Sequence, residues 1–373
     1  MNRYLLLVVF FTFNINAATE FSFNTTTFVS GLTQPWGMTT LPNGDLIITE
    51  RNGQLRRWNG KSLSAKIVGL PKVLYIGQGG LLDVKAHPNF AKNKWLYFTY
   101  SAVSSEPQKK NKNGTHLARA KLIDNTLSQV EVLFSPRFMK AGGYHFAGRI
   151  EFLPDNTLVF GVGDGYSYKD HAQDLTSDLG KLIRLNDDGS IPADNPFVKK
   201  ANRNSEIYSY GHRNPQGLSF DVKRNILFSN EHGPKGGDEV NIIKPSLNYG
   251  WPEITYGVDY SGEIISEDSA REGMQQPLVD WTPSIAPSSM VVYYGKAFPQ
   301  LNGHLLNTTL KYQELRLVEL ANTGDTSGET PVKVVSQSRY LKSLGERFRD
   351  IELDSEGNIY LLTDSGKLIK LSI

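Results

Sequence analysis

The sequence predicts an all-β protein, a six-bladed β-propeller. A turn followed by a β-rich run recurs six times, long amphipathic helical stretches are scarce, and 34 glycines with 11% aromatic residues fit a turn-rich, β-rich chain. The first copy is Leu41-Pro-Asn-Gly-Asp-Leu-Ile-Ile-Thr-Glu50, and the second is His87-Pro-Asn-Phe leading into Trp95-Leu-Tyr-Phe-Thr-Tyr-Ser101. The third is Leu153-Pro-Asp-Asn-Thr-Leu-Val-Phe-Gly-Val-Gly163, and the fourth Asp221-Val-Lys-Arg-Asn-Ile-Leu-Phe-Ser-Asn230. Leu301-Asn-Gly-His-Leu-Leu-Asn-Thr308 and Leu353-Asp-Ser-Glu-Gly-Asn-Ile-Tyr-Leu-Leu-Thr363 complete the set.

In each copy a tight turn of Pro, Asn, Asp or Gly sets the backbone angles of a hairpin. The Leu-, Ile-, Val- and Tyr-rich run beside it reads as a strand. Six copies over about 350 residues is one per about 55 to 60, in the range of propeller blades. The spacing is uneven, so insertions lie between strands. The loops on a propeller's faces tolerate them and build sites from them. Ser104 to Thr115, polar and lysine-rich, and Lys235 to Ala270 read as two such insertions.

A chain of 373 residues buries about three quarters of its unfolded surface and needs no staples. With no cysteine, a disulfide framework, a thiolate metal site and a lipid-anchored N-terminal cysteine are all excluded. Forty Lys and Arg stand against 38 Asp and Glu, which gives no electrostatic reason for a nucleic-acid or anionic-membrane partner. Arg3, the apolar run Tyr4 to Phe13 and the small residues to Ala17-Ala18 form the pattern of a secretory signal peptide, 1–18, cut after Ala17 or Ala18. The run is too short to span a bilayer comfortably, and no comparable run follows. Residues 19–373 are expected to form one exported propeller domain.

Several stretches are unlike ordinary surface loops. Glycines in Gly77-Gln-Gly-Gly80 let the backbone approach a ligand, and Gln78 can donate to it; a plain turn before a strand has the same composition. Tyr144-His-Phe-Ala-Gly-Arg149 puts a His at a strand entry with an Arg four positions on. Tyr208-Ser-Tyr-Gly-His-Arg-Asn-Pro-Gln-Gly217 offers Arg213 and Asn214, a guanidinium and an amide suited to a developing oxyanion. Asn230-Glu-His-Gly-Pro-Lys-Gly-Gly-Asp-Glu-Val-Asn241 mixes carboxylates with flexible carbonyls, a combination that suits calcium. In Gly345-Glu-Arg-Phe-Arg-Asp350, Arg347 and Arg349 fall on one side of an extended segment and suggest a polyanionic ligand. No HExxH, P-loop or GxGxxG after a strand occurs, so zinc peptidase, nucleotide hydrolase and nicotinamide readings lack their usual marks.

Together with Pro35-Trp-Gly-Met38, His87-Pro88 and Asn248-Tyr-Gly-Trp251, these stretches resemble the glucose/sorbosone dehydrogenase family. They follow family order from about Phe28 to Leu371, and look most like its soluble periplasmic aldose sugar dehydrogenases. The resemblance implies a six-bladed propeller that oxidises aldoses at C1 to the lactone, with pyrroloquinoline quinone (PQQ) and calcium as cofactors. It makes His145 the general base for the C1 hydroxyl while hydride passes to the quinone. Arg213 would stabilise charge on the reduced quinone oxygen, with Asn214 beside it. Gln78 would contact cofactor or substrate, and Tyr260, Lys311, Arg347 and Arg349 would hold the cofactor carboxylates. One calcium would bridge the cofactor and the carbonyls of Gly233 and Pro234. A second, structural calcium would involve Glu239 and the Tyr249 carbonyl. The electron acceptor would be a quinone or a cytochrome, and the compartment the periplasm.

Three positions depart from the family pattern: Ala147 and Ser289 where relatives often carry Gly, and Gly165 where they often carry a larger polar residue. They bear on substrate preference and cofactor fit. Two other classes compete. A calcium-dependent lactonase-type hydrolase needs a central ion held by side-chain carboxylates, whereas bases outnumber acids in this candidate site. A non-catalytic propeller binding carbohydrate or protein would keep the blades yet lose His145 or Arg213, and both are present.

Overall fold

The computed structural model describes residues 21–104, 106, 111–325 and 331–373. The signal peptide read at 1–18 lies outside the described residues. Strand β1 (Asn24–Val29) is followed by six small sheets. The first is β2 (Pro35–Thr40), β3 (Leu46–Glu50) and β4 (Gln54–Trp58). The second is β5 (Leu81–Ala86), β6 (Trp95–Val103), β7 (Asn113–Ile123) and β8 (Thr126–Phe134). The third is β9 (Ala147–Phe152), β10 (Leu158–Val162), β11 (Lys181–Leu185) and β12 (Ile207–Tyr210). The fourth is β13 (Pro215–Asp221), β14 (Ile226–Glu231), β15 (Asp238–Ile243) and β16 (Val279–Trp281). The fifth is β17 (Pro287–Val292), β18 (Leu305–Thr309), β19 (Leu315–Asn322) and β20 (Val332–Tyr340). The last is β21 (Phe348–Leu353), β22 (Ile359–Thr363) and β23 (Leu368–Ser372), and β1 pairs antiparallel with β23 as its outermost strand. That pairing joins the two ends of the chain and closes a six-bladed propeller.

The six recurrent sequence copies are the hairpins between the first and second strand of each blade. Two of them differ in detail from a tight turn. After His87 the chain makes a short helix, α1 (Phe90–Asn93), and before β18 it makes a 3₁₀ turn, Pro299–Leu301. Both insertion boundaries are corrected. Asn113 to Thr115 belong to β7, because Asn113 pairs with Val103 and Thr115 with Ser101. The stretch Lys235 to Ala270 contains β15, whose Val240 pairs with Asn230 and Val279, so the true excursion begins after Ile243.

Apolar residues collect in the gaps between neighbouring blades. Ile47 and Leu55 meet Leu81 and Leu96, Tyr97 meets Ile150, and Val159 meets Leu218. Phe228 meets Met290, Leu306 meets Phe348, and Leu362 meets Met38. Second strands such as β3, β10 and β22 are therefore buried on both faces and read as continuous apolar runs. The outer β20 alternates buried and exposed positions instead.

The first strands line a central channel. Within it the Arg149 guanidinium pairs with Asp83 at 2.9 Å and Asp350 at 2.8 Å, all three residues being buried. Arg149→Met leaves two buried carboxylates without their shared cation. It is expected to cost about 3 to 5 kcal/mol in denaturant unfolding. A loss below about 1 kcal/mol would show the triad to be hydrated rather than locked.

Candidate active site

First strands begin, and second strands end, on the same face of the ring. Short connections there aim side chains at the channel mouth. A cavity of about 420 Å³ opens at this mouth, lined among others by Trp36, Arg51, Gln78, Phe146, Asn214, Tyr260, Arg347 and Arg349.

His145 sits in the turn entering β9. Its φ is +50° and that of Ala147 is +54°, a left-handed region that costs a non-glycine residue about 1 kcal/mol or more. Two amides hold the turn there. The His145 N–H donates to Gln78 Oε1 at 2.8 Å, and the Ala147 N–H donates to Asn214 Oδ1 at 3.1 Å. Ala147 thus keeps the twisted backbone that a glycine would adopt freely, at the cavity wall.

The imidazole is buried, with Nδ1 2.6 Å from Asp164 Oδ1. Asp164 is itself fixed: the Trp251 Nε1–H donates to Oδ2 at 2.8 Å and the Tyr166 N–H to Oδ1 at 2.8 Å. A carboxylate on Nδ1 fixes that nitrogen as the N–H and leaves the Nε2 lone pair as proton acceptor. Burial pushes the imidazole below its ordinary value, against the pull of Asp164. Burial alone would raise the Asp164 carboxyl, but His145, Arg213 and the Tyr166 N–H hold it below the usual carboxylate range.

Arg213 is buried beside this pair. Its N–H donates to Glu231 Oε2 at 2.7 Å, and Nη1 reaches the carbonyls of His232 at 3.1 Å and Gly233 at 2.6 Å. Its guanidinium lies 5.2 Å from the Trp251 ring centre, and its buried Nε has no hydrogen-bond partner. His232 is pushed down to about 3 by burial and by Arg213, so it stays neutral and adds no charge.

The opposite wall is cationic. Arg347 Nε donates to Asp364 Oδ2 at 2.9 Å, and Arg349 donates to both Asp364 oxygens at 2.9 and 3.2 Å. Burial and the neighbouring Arg349 both lower the Arg51 guanidinium, which contacts the carbonyls of Gly77 and Gly79. Arg347 and Arg349 thus share one carboxylate, and Arg51 feels its charge from nearby. Tyr260 lines the cavity at its exposed rim, 59% exposed. Lys311 is not among the lining residues; it follows Leu310, which is, and its ammonium lies 5.9 Å from the Tyr312 ring.

Gly233, Glu239 and Tyr249 meet at a smaller cavity of about 20 Å³ together with Glu231, room for one water or ion. Burial and then the Glu231 carboxylate push Glu239 well above its ordinary value. Pro234 stands outside this cavity, its carbonyl accepting from Ser284 Oγ at 3.3 Å. Among the described residues no group of three or more His, Asp or Glu side chains is arranged to hold a metal.

Sequence reasoning had assigned no role to Asp164, Trp251, Arg51 or Asp364. Asp164 carried a usable signal, a lone carboxylate between two glycines where a buried strand ends. Arg51 carried none, since only the ring closure brings blade one beside blade six, and Asp364 meets its arginines only across the β21–β22 hairpin. Of the departures, Ser289 is buried on β17 away from the cavity lining, and Gly165 packs against the Lys140 side chain.

Fold and site define a class: a six-bladed propeller with a buried His–carboxylate pair beside an arginine-walled cavity. The glucose/sorbosone dehydrogenase family profile matches residues 32–370. The aldose sugar dehydrogenase YliI of Escherichia coli is 40% identical over 91% of this chain and 90% of its own length. The crystal structure of the soluble aldose sugar dehydrogenase of Escherichia coli, in its apo form, superposes with a TM-score of 0.87. It is 38% identical and covers 94% of this chain and 99% of that one. The PQQ-bound aldose sugar dehydrogenase of Streptomyces coelicolor gives 0.74 at 25% identity, covering 94% and 98%. The chain belongs to the glucose/sorbosone dehydrogenase family, and is an enzyme of the dehydrogenase class.

Proposed function

We propose that this enzyme oxidises aldose sugars at C1 to the lactone, using PQQ and calcium, and is exported to the periplasm, where a quinone or a cytochrome takes the electrons. The observation that carries the reading is the His145–Asp164 pair beside a cavity walled by Arg51, Arg347 and Arg349. No helix among the described residues is long and apolar enough to cross a membrane.

The residues fit the cofactors. Three guanidiniums against one carboxylate leave net positive charge for a tricarboxylate, through charge-assisted hydrogen bonds from Arg347 and Arg349. Tyr260, and Lys311 beyond Leu310, extend that wall. The unpartnered Arg213 Nε is a donor awaiting a ligand oxygen. Glu239, paired only with amide and like charge in its small cavity, suits calcium together with nearby carbonyls, those of Gly233, Pro234 and Tyr249 included. When bound, PQQ supplies a two-electron hydride acceptor, and calcium supplies positive charge that polarises it.

The chain's own part is proton transfer and positioning. The His145 Nε2 takes the C1 hydroxyl proton as the C1 hydride leaves, and the C1–O bond becomes the lactone carbonyl. Asp164 steadies the imidazolium so formed. Gln78 and Asn214 hold the turn that aims the ring, and Arg213 stabilises negative charge developing at the cavity. A hydrolase centred on a metal would need a carboxylate cage where this site has arginines.

His145 accepts a proton only while neutral. Burial lowers its pKa, so the neutral form persists into more acid solution than for a free imidazole. In PQQ-loaded protein, kcat/KM for glucose should fall with acid below about pH 6.5. An acid limb centred above neutrality would contradict the assignment.

Calcium should raise the thermal midpoint of the purified protein. A ligand at 100 times its Kd adds about 2.7 kcal/mol. Differential scanning with calcium and then a chelator checks this; Glu239→Gln should lose most of the rise. An equal rise in that variant would place the ion elsewhere.

A further inference from the structure

One buried basic group has no part in the chemistry above. Lys140 is 1% exposed, and among the described residues it has no ion-pair partner. Its ammonium lies 3.6 Å from the centre of the Phe146 ring. Its polar contacts are two long ones, to Asn113 Oδ1 and the Gly142 carbonyl, each at 3.5 Å. Its backbone is pinned by paired hydrogen bonds with Asn113, at 2.8 and 2.9 Å. Its side chain fills the space beside Gly165, where an added Cβ would fall 2.4 Å from Lys140 Cδ. The unusual glycine and the buried lysine are thus one feature. Phe146 in turn is the residue between His145 and Ala147, the two strained positions of the turn.

A lone buried ammonium is costly to keep, and a methionine would fill the same space without that cost. We propose that Lys140 is a positioning residue for the base: its ammonium, set against the Phe146 ring, steadies the His145–Ala147 turn. This rests on the dehydrogenase reading. Burial pushes Lys140 down to about 7, with Asp164 pulling the other way, so across the acid limb it is the ammonium. The charged or titratable groups facing His145 are Asp164 at the end of β10, Tyr166 just after it, Arg213 before β13, His232 after β14 and Lys140 before β9. Of these Asp164 favours the imidazolium, while Arg213 and Lys140 oppose it.

The test compares Lys140→Met and Lys140→Arg with the unaltered chain. In PQQ-loaded protein, Lys140→Met is expected to lower kcat for glucose about tenfold with KM within about twofold. It should also move the acid limb of kcat/KM to higher pH, and Lys140→Arg should return the limb toward its original position. The thermal midpoint of Lys140→Met should be unchanged or higher. A nuclear magnetic resonance titration of the His145 imidazole in cofactor-free protein should show the same upward shift without any turnover. Unaltered kcat and an unshifted titration, or a lower midpoint with an unmoved acid limb, would make Lys140 a packing residue only and overturn the proposal. If the unaltered chain oxidises no sugar, the dehydrogenase reading fails, while the imidazole titration still decides the role of Lys140.

Discussion

His145→Gln is expected to lower kcat of the PQQ-loaded enzyme by roughly 10²- to 10⁴-fold, the span of a positioned general base. Glutamine keeps polarity and approximate length, and its backbone N–H can still donate to Gln78, so the turn need not collapse. What disappears is a lone pair able to take the C1 hydroxyl proton. The proton then goes to water in the transition state, and an interaction made only there is lost. KM should therefore change little while kcat falls. Steady-state kinetics with glucose, alongside binding of PQQ to the variant, separates the two. A variant that binds PQQ and retains kcat within about tenfold would show that another group takes the proton.

The second large effect is on cofactor affinity. Arg349 and Arg347 both reach Asp364, but their exposures differ: the Arg349 side chain is 14% exposed and that of Arg347 48%. Solvent screening makes the outer charge worth less. Hydrogen bonds to charged groups contribute about 1.5 to 3 kcal/mol each. Arg349→Ala is thus expected to weaken PQQ binding by roughly 10- to 100-fold, and Arg347→Ala by less. The double variant goes further, because Asp364 then confronts the cofactor carboxylates with only Arg51 to offset it. Titration of each variant with PQQ, followed by absorbance or calorimetry, reads the order directly. Equal or negligible losses would mean that the carboxylates lie elsewhere in the cavity.

The fold was legible because each blade repeats its most local feature, the first hairpin. Pro-Asn-Gly-Asp before Leu-Ile-Ile and Asp-Ser-Glu-Gly-Asn before Ile-Tyr-Leu-Leu mark turn and strand without help from distant residues. The outer strands were not legible. The β1–β23 pairing joins segments more than 330 positions apart, and among the described residues blade one has no regular fourth strand, only an isolated Leu55–Ile67 bridge beside β4. The strand β15 was hidden inside an assumed insertion because glycines and carboxylates of Lys235 to Glu239 mask its start.

The site followed the same division. Residues in dense local motifs, such as Gln78, His145, Arg213 and Asn214, stood out in the sequence. Their partners did not. Asp164 meets the His145 ring from the end of a neighbouring strand. Trp251 reaches it from a loop in the fourth blade, and Asp364 gathers arginines from blade six. Single residues of this kind acquire meaning only when strands and loops are brought together in the fold. Lys140 was invisible for a further reason: its sequence surroundings are ordinary, and only burial against Phe146 and Gly165 makes it unusual.

The most direct measurement is aldose-dependent dye reduction by purified protein, with PQQ and calcium added singly and together, and with His145→Gln in parallel. Turnover that requires both additives and an aldose, and collapses in the variant, is the predicted result. Full occupancy by PQQ with no reduction of dye by any aldose would contradict a sugar dehydrogenase acting through His145.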